Sequence, residues 1–417
     1  MKSLTNVVLI VQNLPVPFDR RVWLEATTLR DAGYNVSCVC PKAKGFEASY
    51  EVLERITIHR YSLPIEANGP AGFVAEFGWC LVRSSMKLAR IGISSGIDIL
   101  HVCNPPETYF PLGWLMRLFG RKFLFDHHDL SPEMFDAKLE AMALTDGTDP
   151  IPTATDQNSP DRKHKILRRG LMWCERMTFT AANIVVTTNE SHKKVAIGRG
   201  KRHPDDVIVV RSGPDLDRLT ATEPNAYWKN GSEFLVVYLG EICEQDGVDH
   251  LIRAIQHIRD HHTQTSIRCV LIGGGPHQPA IKQYAENLGL ADICHFTGRV
   301  SDDMLCEILS SADLGIDPDP LTPWSDQSTM NKIMEYMFFE LPIVSYELTE
   351  ARVSAGEAAL FVEANNEQAL GEGIISLLYD PDRRTEMGKI GRARVEDELA
   401  WKHSKPHLLR AYERLSQ

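Results

Sequence analysis

The sequence predicts an α/β protein made of two Rossmann-like, doubly wound parallel-sheet domains that face each other across a cleft. Three observations lead there. Short, nearly continuous apolar runs alternate with helical stretches from one end of the chain to the other, the pattern of parallel strands buried on both faces. The alternation restarts after SGPDLDR, Ser212 to Arg218. Finally, 417 residues exceed the roughly 250 to 300 at which a single core stops growing.

The first series of strands reads Val7 to Val11, Val36 to Cys40, Asp98 to Val102, Lys122 to Asp126, Asn183 to Thr188 and Val207 to Val210. The second reads Phe234 to Gly240, Cys269 to Gly275, Ile293 to Gly298, Asp313 to Asp317 and Pro342 to Tyr346, each followed by a helical segment. The expected domains are therefore 1–212 and 213–398, with a closing helix at 399–417 that packs back on the first. The stretch 136–165, rich in Pro, Asp, Thr and Gly, breaks the rhythm and is expected to be a long loop. Ligands of such sheets bind beyond the carboxyl ends of the strands.

Composition narrows the function. At 43% hydrophobic and 24% charged the chain has the make-up of a soluble globular protein. The opening apolar run is too short for a signal segment, and no run approaches the roughly 20 residues of a spanning helix; a cytoplasmic protein is expected. Nine cysteines without a CxxC pair suggest reduced thiols and no metal site. A net charge of −11 argues against a nucleic-acid partner. Yet Arg162 to Arg202 holds eleven Lys and Arg against two Glu, which is either a solvated helix face or an attraction for phosphates or an anionic membrane surface at the inner face of the cell membrane.

The strand ends carry the chemistry. After the first strand, Asp19 is placed to cap a helix whose first turn holds Arg20 and Arg21. Cations there oppose the helix dipole, so they either meet an anion or form a buttressing salt bridge. HVCNPPET ends a strand in a proline turn before Glu107. FDHHDLSPE gathers Asp126, His127, His128, Asp129 and Glu133, a set suited to a metal, to acid-base work or to a polyhydroxyl substrate. The triplet Gly273 to Gly275 lacks dinucleotide-fingerprint spacing and supports a tight turn or a close backbone approach. Asp317 and Asp319 form an Asp-x-Asp that could hold a divalent cation or shape a loop.

The most telling stretch is DQSTMNKIMEYM, Asp326 to Met337. Ser328 reads as an N-cap, leaving the N–H groups of Ser328 to Met330 and the helix dipole as an anion site. Lys332 adds a cation, and Glu335, three residues on, lies beside it on the helix. Phosphates at the N-terminus and hydroxyls at the carboxylate could then be held together.

These pieces, from PVPFDRRVWLEATTLRDAGYNVSCVCP through FDHHDLSPE, RSGPDLDR, YLGEICEQDGVDHLIRAI, LIGGGP, FTGRV and SADLGI to STMNKIMEYMFFELPIV, resemble the family 4 nucleotide-sugar glycosyltransferases of GT-B fold. The resemblance implies retaining transfer from a nucleotide sugar to a lipid-linked, polysaccharide or other glycan acceptor, with no metal or other cofactor. It places Glu335 on the ribose, and Lys332 and the helix start (Gln327, Ser328, Thr329, Met330, Asn331) around the donor. It sets Gly298, Arg299 and Val300 at the base edge and His128 on the transferred sugar, with Asp129 as a candidate phosphate or acceptor contact. Two departures stand out. Gln327 occupies a place that usually holds a glutamate, and Glu241 and Asp246 stand where the family often has an arginine and a lysine. Lys332, Arg20, Arg21 and Arg211 are the candidate compensating cations. A non-catalytic sugar-nucleotide-binding partner and a sugar-nucleotide 2-epimerase are the alternatives.

Overall fold

A computed structural model describes residues 5–64, 69–143 and 162–416. Among these, the chain up to Phe135, the part from Arg162 to Ser212 and the part from Lys402 on form one compact unit, and Asp136 to Ala143 groups with Gly213–Trp401 in another.

The first unit runs β1 Asn6–Ile10, α1 Arg20–Asp31, β2 Asn35–Pro41, β3 Tyr50–Leu53, β4 Ile56–Tyr61, α2 Gly69–Ser94, β5 Ile99–Cys103, α3 Phe110–Leu118, β6 Lys122–His127, the start of α4 Ser131–Ala143 as far as Phe135, α5 Arg162–Ala181, β7 Ile184–Thr187, α6 Glu190–Gly198 and β8 Val207–Val209. Its sheet has the order β3-β4-β2-β1-β5-β6-β7-β8, parallel throughout except for the β3–β4 hairpin. The central strands are wholly buried, as their apolar runs require.

That hairpin is absent from the sequence expectation. Its turn is Glu54-Arg55, both at positive φ (47° and 66°), a conformation usually supplied by Asn-Gly. The long loop expected at 136–165 is shorter at both ends. The DAKLEAMA segment is made of good helix formers and continues α4 to Ala143, and α5 begins at Arg162. Residues 144–161 lie outside the described residues.

The second unit runs β9 Phe234–Leu239, α7 Val248–His261, β10 Ile267–Ile272, α8 Gln278–Asn287, β11 Cys294–Gly298, α9 Asp302–Ser311, β12 Leu314–Asp317, α10 Asn331–Phe338, β13 Ile343–Tyr346, α11 Thr349–Ala355, β14 Ala359–Val362, α12 Glu367–Leu378 and α13 Pro381–Arg394. Its six parallel strands have the order β11-β10-β9-β12-β13-β14. The order reverses direction beside β9, so the ends of β9 and β12 frame the topological switch point. One continuous core, from Val236 and Leu271 to Met337 and Ile374, fills the layers around the sheet.

The last helix, α14 Trp401–Leu415, belongs from Lys402 on to the first unit. Tyr412 packs against β5, its hydroxyl 2.9 Å from His101 Nδ1, and Ser404 Oγ donates to the Arg211 carbonyl at 2.7 Å.

Candidate functional site

In the second unit the site grows from the loop after β12. That loop closes in a short turn at Ser325–Gln327 and then enters α10. Ser328 does not cap the helix. Its hydroxyl donates to the Trp324 carbonyl at 2.7 Å and its N–H to Ser325 O at 3.1 Å, so Met330 stands at the N-cap without a side-chain bond. The anion-ready start of α10 is thus the first turn from Asn331, whose N–H groups have no carbonyl four residues back within the helix. Gln327 donates from Nε2 to the Pro323 carbonyl at 2.7 Å, and Thr329 lies half-buried between Ser328 and Met330.

Lys332 and Glu335 do not form a pair; each finds a partner far away in sequence. The Lys332 ammonium is ion-paired with Asp319, lies 3.3 Å from Asp317 Oδ1, and sits 5.0 Å above the Tyr238 ring. Burial alone would lower the pKa of this lysine, but Asp319, Asp317 and Asp246 together raise it, so it stays charged. Lys332 is therefore the counter-ion of an aspartate pair, its charge shared with Asp317 and Asp319. Glu335 instead accepts from Arg218 Nη2 at 2.6 Å, while Arg218 Nη1 reaches Asp302 at 2.8 Å. Nothing local in the sequence marks Arg218 as this partner.

The two acidic departures are accommodated differently. Asp246 accepts from the Cys243 N–H at 2.9 Å and tightens the turn at Glu244–Asp246. Burial, opposed by Lys332, pushes its pKa up to about 6. Glu241 is exposed and lies 3.9 Å from Arg299 Nη2.

Around these side chains the strand ends approach backbone to backbone. A Cβ on Gly273 would fall 1.8 Å from the Gly240 carbonyl oxygen, and one on Gly247 would fall 2.1 Å from that of Pro318. The glycines thus permit the close packing of loops that brings β9, β10 and β12 to one edge. Gly273 N–H donates to Gly298 O at 3.0 Å, and above Gly298, at φ 67°, a side chain would meet nothing within 4 Å. Val300, next to Arg299, packs against the core.

In the first unit the constellation centres on Asp126 at the end of β6. Arg21 grips it with two bonds, Nε to Oδ2 and Nη2 to Oδ1, each 2.8 Å, and also reaches Val210 O and Ser212 Oγ at 3.0 Å. Arg21 is thus the buttress and not a ligand cation, because its donors are consumed inside the unit. Its neighbour Arg20 is exposed, and Arg211 is half-buried beside α14.

His128 Nδ1 lies 3.1 Å from Asp126 Oδ2. Burial would lower the pKa of this imidazole, but the Asp126 carboxylate outweighs it and raises the pKa above the ordinary value. The bond to Asp126 fixes the ring and leaves Nε2 as the nitrogen for a ligand. Asn104, not singled out by the sequence, sets the turn: its Oδ1 accepts from the N–H groups of His128 and Asp129 at 2.8 and 3.1 Å. Its Nδ2 donates to Glu107 Oε1 at 2.6 Å and to the Asp129 carbonyl at 2.7 Å. His127 points inward to Glu175 at 3.2 Å, and Glu133 and Glu175 both pair with Arg199. These three serve packing and not the site.

Glu25, His101, Cys103 and Asp126 also converge closely enough to ligate an ion. However, the Arg21 guanidinium lies 3.3 Å from Glu25 and holds Asp126 at 2.8 Å, so a resident cation already pairs with the Asp126 carboxylate.

Two doubly wound units with this geometry at the strand ends define a protein of the GT-B class. Sucrose-phosphate synthase from Thermosynechococcus elongatus superposes with a TM-score of 0.74 at 17% identity, covering 99% of each chain. The family profile described as Glycosyltransferase Family 4 matches residues 19–218, and that described as Glycosyl transferases group 1 matches residues 233–380. The chain belongs to the family 4 glycosyltransferases. It is 27% identical over 266 residues to alpha-maltose-1-phosphate synthase of Mycolicibacterium smegmatis, covering 58% of this chain and 66% of that one. It is 26% identical over 198 residues to a GDP-mannose-dependent alpha-(1-6)-phosphatidylinositol monomannoside mannosyltransferase of Mycobacterium tuberculosis, covering 45% and 51%. The chain thus spans only 51 to 66% of the length of these two curated relatives.

Proposed function

We propose that the protein transfers a sugar from a nucleotide-sugar donor to a lipid-linked, polysaccharide or other glycoconjugate acceptor, with retention at the anomeric carbon and without a metal cofactor. The observation that carries this reading is Glu335. Its carboxylate is held by Arg218 next to the open first turn of α10, at the switch point of the second sheet. A carboxylate beside the N–H groups of a helix's first turn can hold ribose hydroxyls and a diphosphate side by side. The name of the M. tuberculosis relative, a GDP-mannose-dependent mannosyltransferase, supports a nucleotide-sugar donor.

In this reaction the bond between the anomeric carbon and the diphosphate oxygen breaks, and the acceptor oxygen bonds to the same face of the sugar. The acceptor proton passes to the departing phosphate oxygen, giving a nucleoside diphosphate and the glycosylated acceptor. No protein base is needed. His128, oriented by Asp126, is the proposed contact to the transferred sugar. Asp317 and Asp319, which could have held a divalent cation, hold the Lys332 ammonium. A screen of nucleotide sugars by thermal shift, followed by turnover with glycan and lipid-linked acceptors, tests the proposal. Stabilisation by one donor and product formation that Glu335→Ala slows are expected. Donor binding without turnover for any acceptor would point to a non-catalytic binding partner.

A further inference from the structure

We propose that the outer face of the helical layer formed by α2, α3 and α5 docks on an anionic lipid bilayer. Right-handed crossovers from β4 to β5, β5 to β6 and β6 to β7 put these helices on one side of the first sheet. They touch one another. Ser84 Oγ of α2 lies 3.3 Å from Tyr109 OH at the start of α3, and the Phe110 and Trp173 rings meet edge-on with centroids 5.3 Å apart. Arg117 of α3 reaches the Thr180 carbonyl of α5 at 3.1 Å.

A surface helix ordinarily buries one apolar stripe and shows water a polar one. In α2, Cys80, Leu88 and Ile91 point into the core, yet the opposite side carries Val82, Met86 and Ile93, the last 89% exposed, with the exposed Val74 on the flank. On α3, Leu118 is 79% exposed and Phe119, just past its end, 70%, with Trp114 and Leu115 beside them. Trp173 and Ile166 of α5 are exposed as well. A single exposed Leu needs no explanation, but an array across three adjoining helices marks an interaction surface.

The charge on this face has nearly one sign. No Asp or Glu occurs between Tyr109 and Phe125. The one carboxylate of α5, Glu175, is buried against His127 and Arg199, while Lys165, Arg169 and Arg176 face outward. α2 carries Arg83, Lys87 and Arg90 against the single acid Glu76. In a chain of net charge −11 this is a concentration of cations interleaved with aromatic and aliphatic tips. Such a surface suits the interface of an anionic membrane, where the tips enter the acyl boundary and the cations meet lipid phosphates. A soluble anion would leave the apolar tips unused. No helix among the described residues is long and apolar enough to cross a membrane, so the protein would lie on the surface. The cations at the end of the basic stretch, Arg199 and Arg202, do not take part, since both are turned inward to Glu133, Glu175 and the carbonyls of Phe179 and Asn183.

The test is flotation of the full chain with phosphatidylcholine vesicles, with and without phosphatidylglycerol, at low and high salt. It reads binding without turnover, so its outcome is independent of the proposed reaction. The expected result is flotation with anionic vesicles that weakens with salt and falls at least roughly tenfold in the Leu118→Asp/Trp173→Asp variant and in Arg169→Glu/Arg176→Glu. Both variants should melt at the temperature of the wild type. No flotation with anionic vesicles at low salt would overturn the proposal, as would flotation unchanged in both variants. A wild-type dimer in sedimentation that Leu118→Asp/Trp173→Asp turns into a monomer, with flotation unaltered, would assign the face to a second copy of the chain.

Discussion

Arg218 Nη2 and Glu335 Oε1 meet at 2.6 Å across 117 positions of sequence, so the carboxylate proposed to hold the sugar nucleotide is aimed by an arginine from the start of the second unit. Arg218 also ties Asp302 at the start of α9, which makes it a clamp between two helices and a loop. Removing it should loosen the carboxylate without emptying the core. Arg218→Ala is expected to raise the donor KM roughly tenfold, and Glu335→Ala to lower kcat/KM by roughly 10- to 100-fold, the range of one or two charge-assisted hydrogen bonds. Steady-state kinetics on both variants, with melting curves alongside, check this; an unchanged KM in Arg218→Ala would refute the clamp.

Lys332 is a different matter. Its ammonium is buried with Asp317 and Asp319, and removal of one member of a buried ion cluster strands the others. Lys332→Met should destabilise the protein by about 3 to 5 kcal/mol, and combining it with Asp317→Asn and Asp319→Asn should recover much of that loss. Urea unfolding of the single and triple variants measures it. A Lys332→Met protein as stable as the wild type would show that the lysine is not structural.

Asp246 carries a pH signature. Its pKa is raised from the ordinary 3.8 to about 6 by burial, so the folded state holds this proton more tightly than the unfolded chain. Its contribution is complete below pH 3.8 and is lost as pH rises through about 6. At pH 7 Asp246→Asn should therefore stabilise the protein, by about 3 kcal/mol, with the gain vanishing near pH 4. The same variant removes an anion near Lys332 and should tighten donor binding. Denaturation series at several pH values, with calorimetry of the donor, test both statements.

His128 titrates with the same sign. Burial lowers its pKa, but the Asp126 carboxylate more than offsets this and leaves it above 6.5. Its bond to Asp126 contributes fully below pH 6.5 and fades as pH climbs through the raised value. The stability difference between wild type and His128→Gln should be larger at pH 6 than at pH 9. An equal difference at both would dissociate the ring from Asp126.

Much of this was legible in the sequence because parallel strands buried on both faces must be apolar runs, and runs such as VVLIV, KFLFD and FLVVYL leave little alternative. The β3–β4 hairpin was hidden because Glu54 and Arg55 adopt a turn without the residues that announce it. At the site, residue types were easier to find than partners. Spacing put Lys332 beside Glu335, but the aspartates at the end of β12 and Arg218 won both charges, since a buried ion is held by whichever counter-ion the fold delivers. Ser328 looked like a cap, yet its hydroxyl had the Trp324 carbonyl one turn back within reach. For Arg21 the sequence left phosphate and buttress equally open, and only the end of β6 decides between them.

The bond from Tyr412 to His101 has a consequence for synthesis. The two residues are 311 positions apart, which at roughly 5 to 20 residues per second separates them by about 15 to 60 s on the ribosome. The whole second unit is translated in that interval and can close before the first has its last helix. The first unit thus stays incomplete until after the second is made, and the face of β5 that α14 covers is left open for that interval.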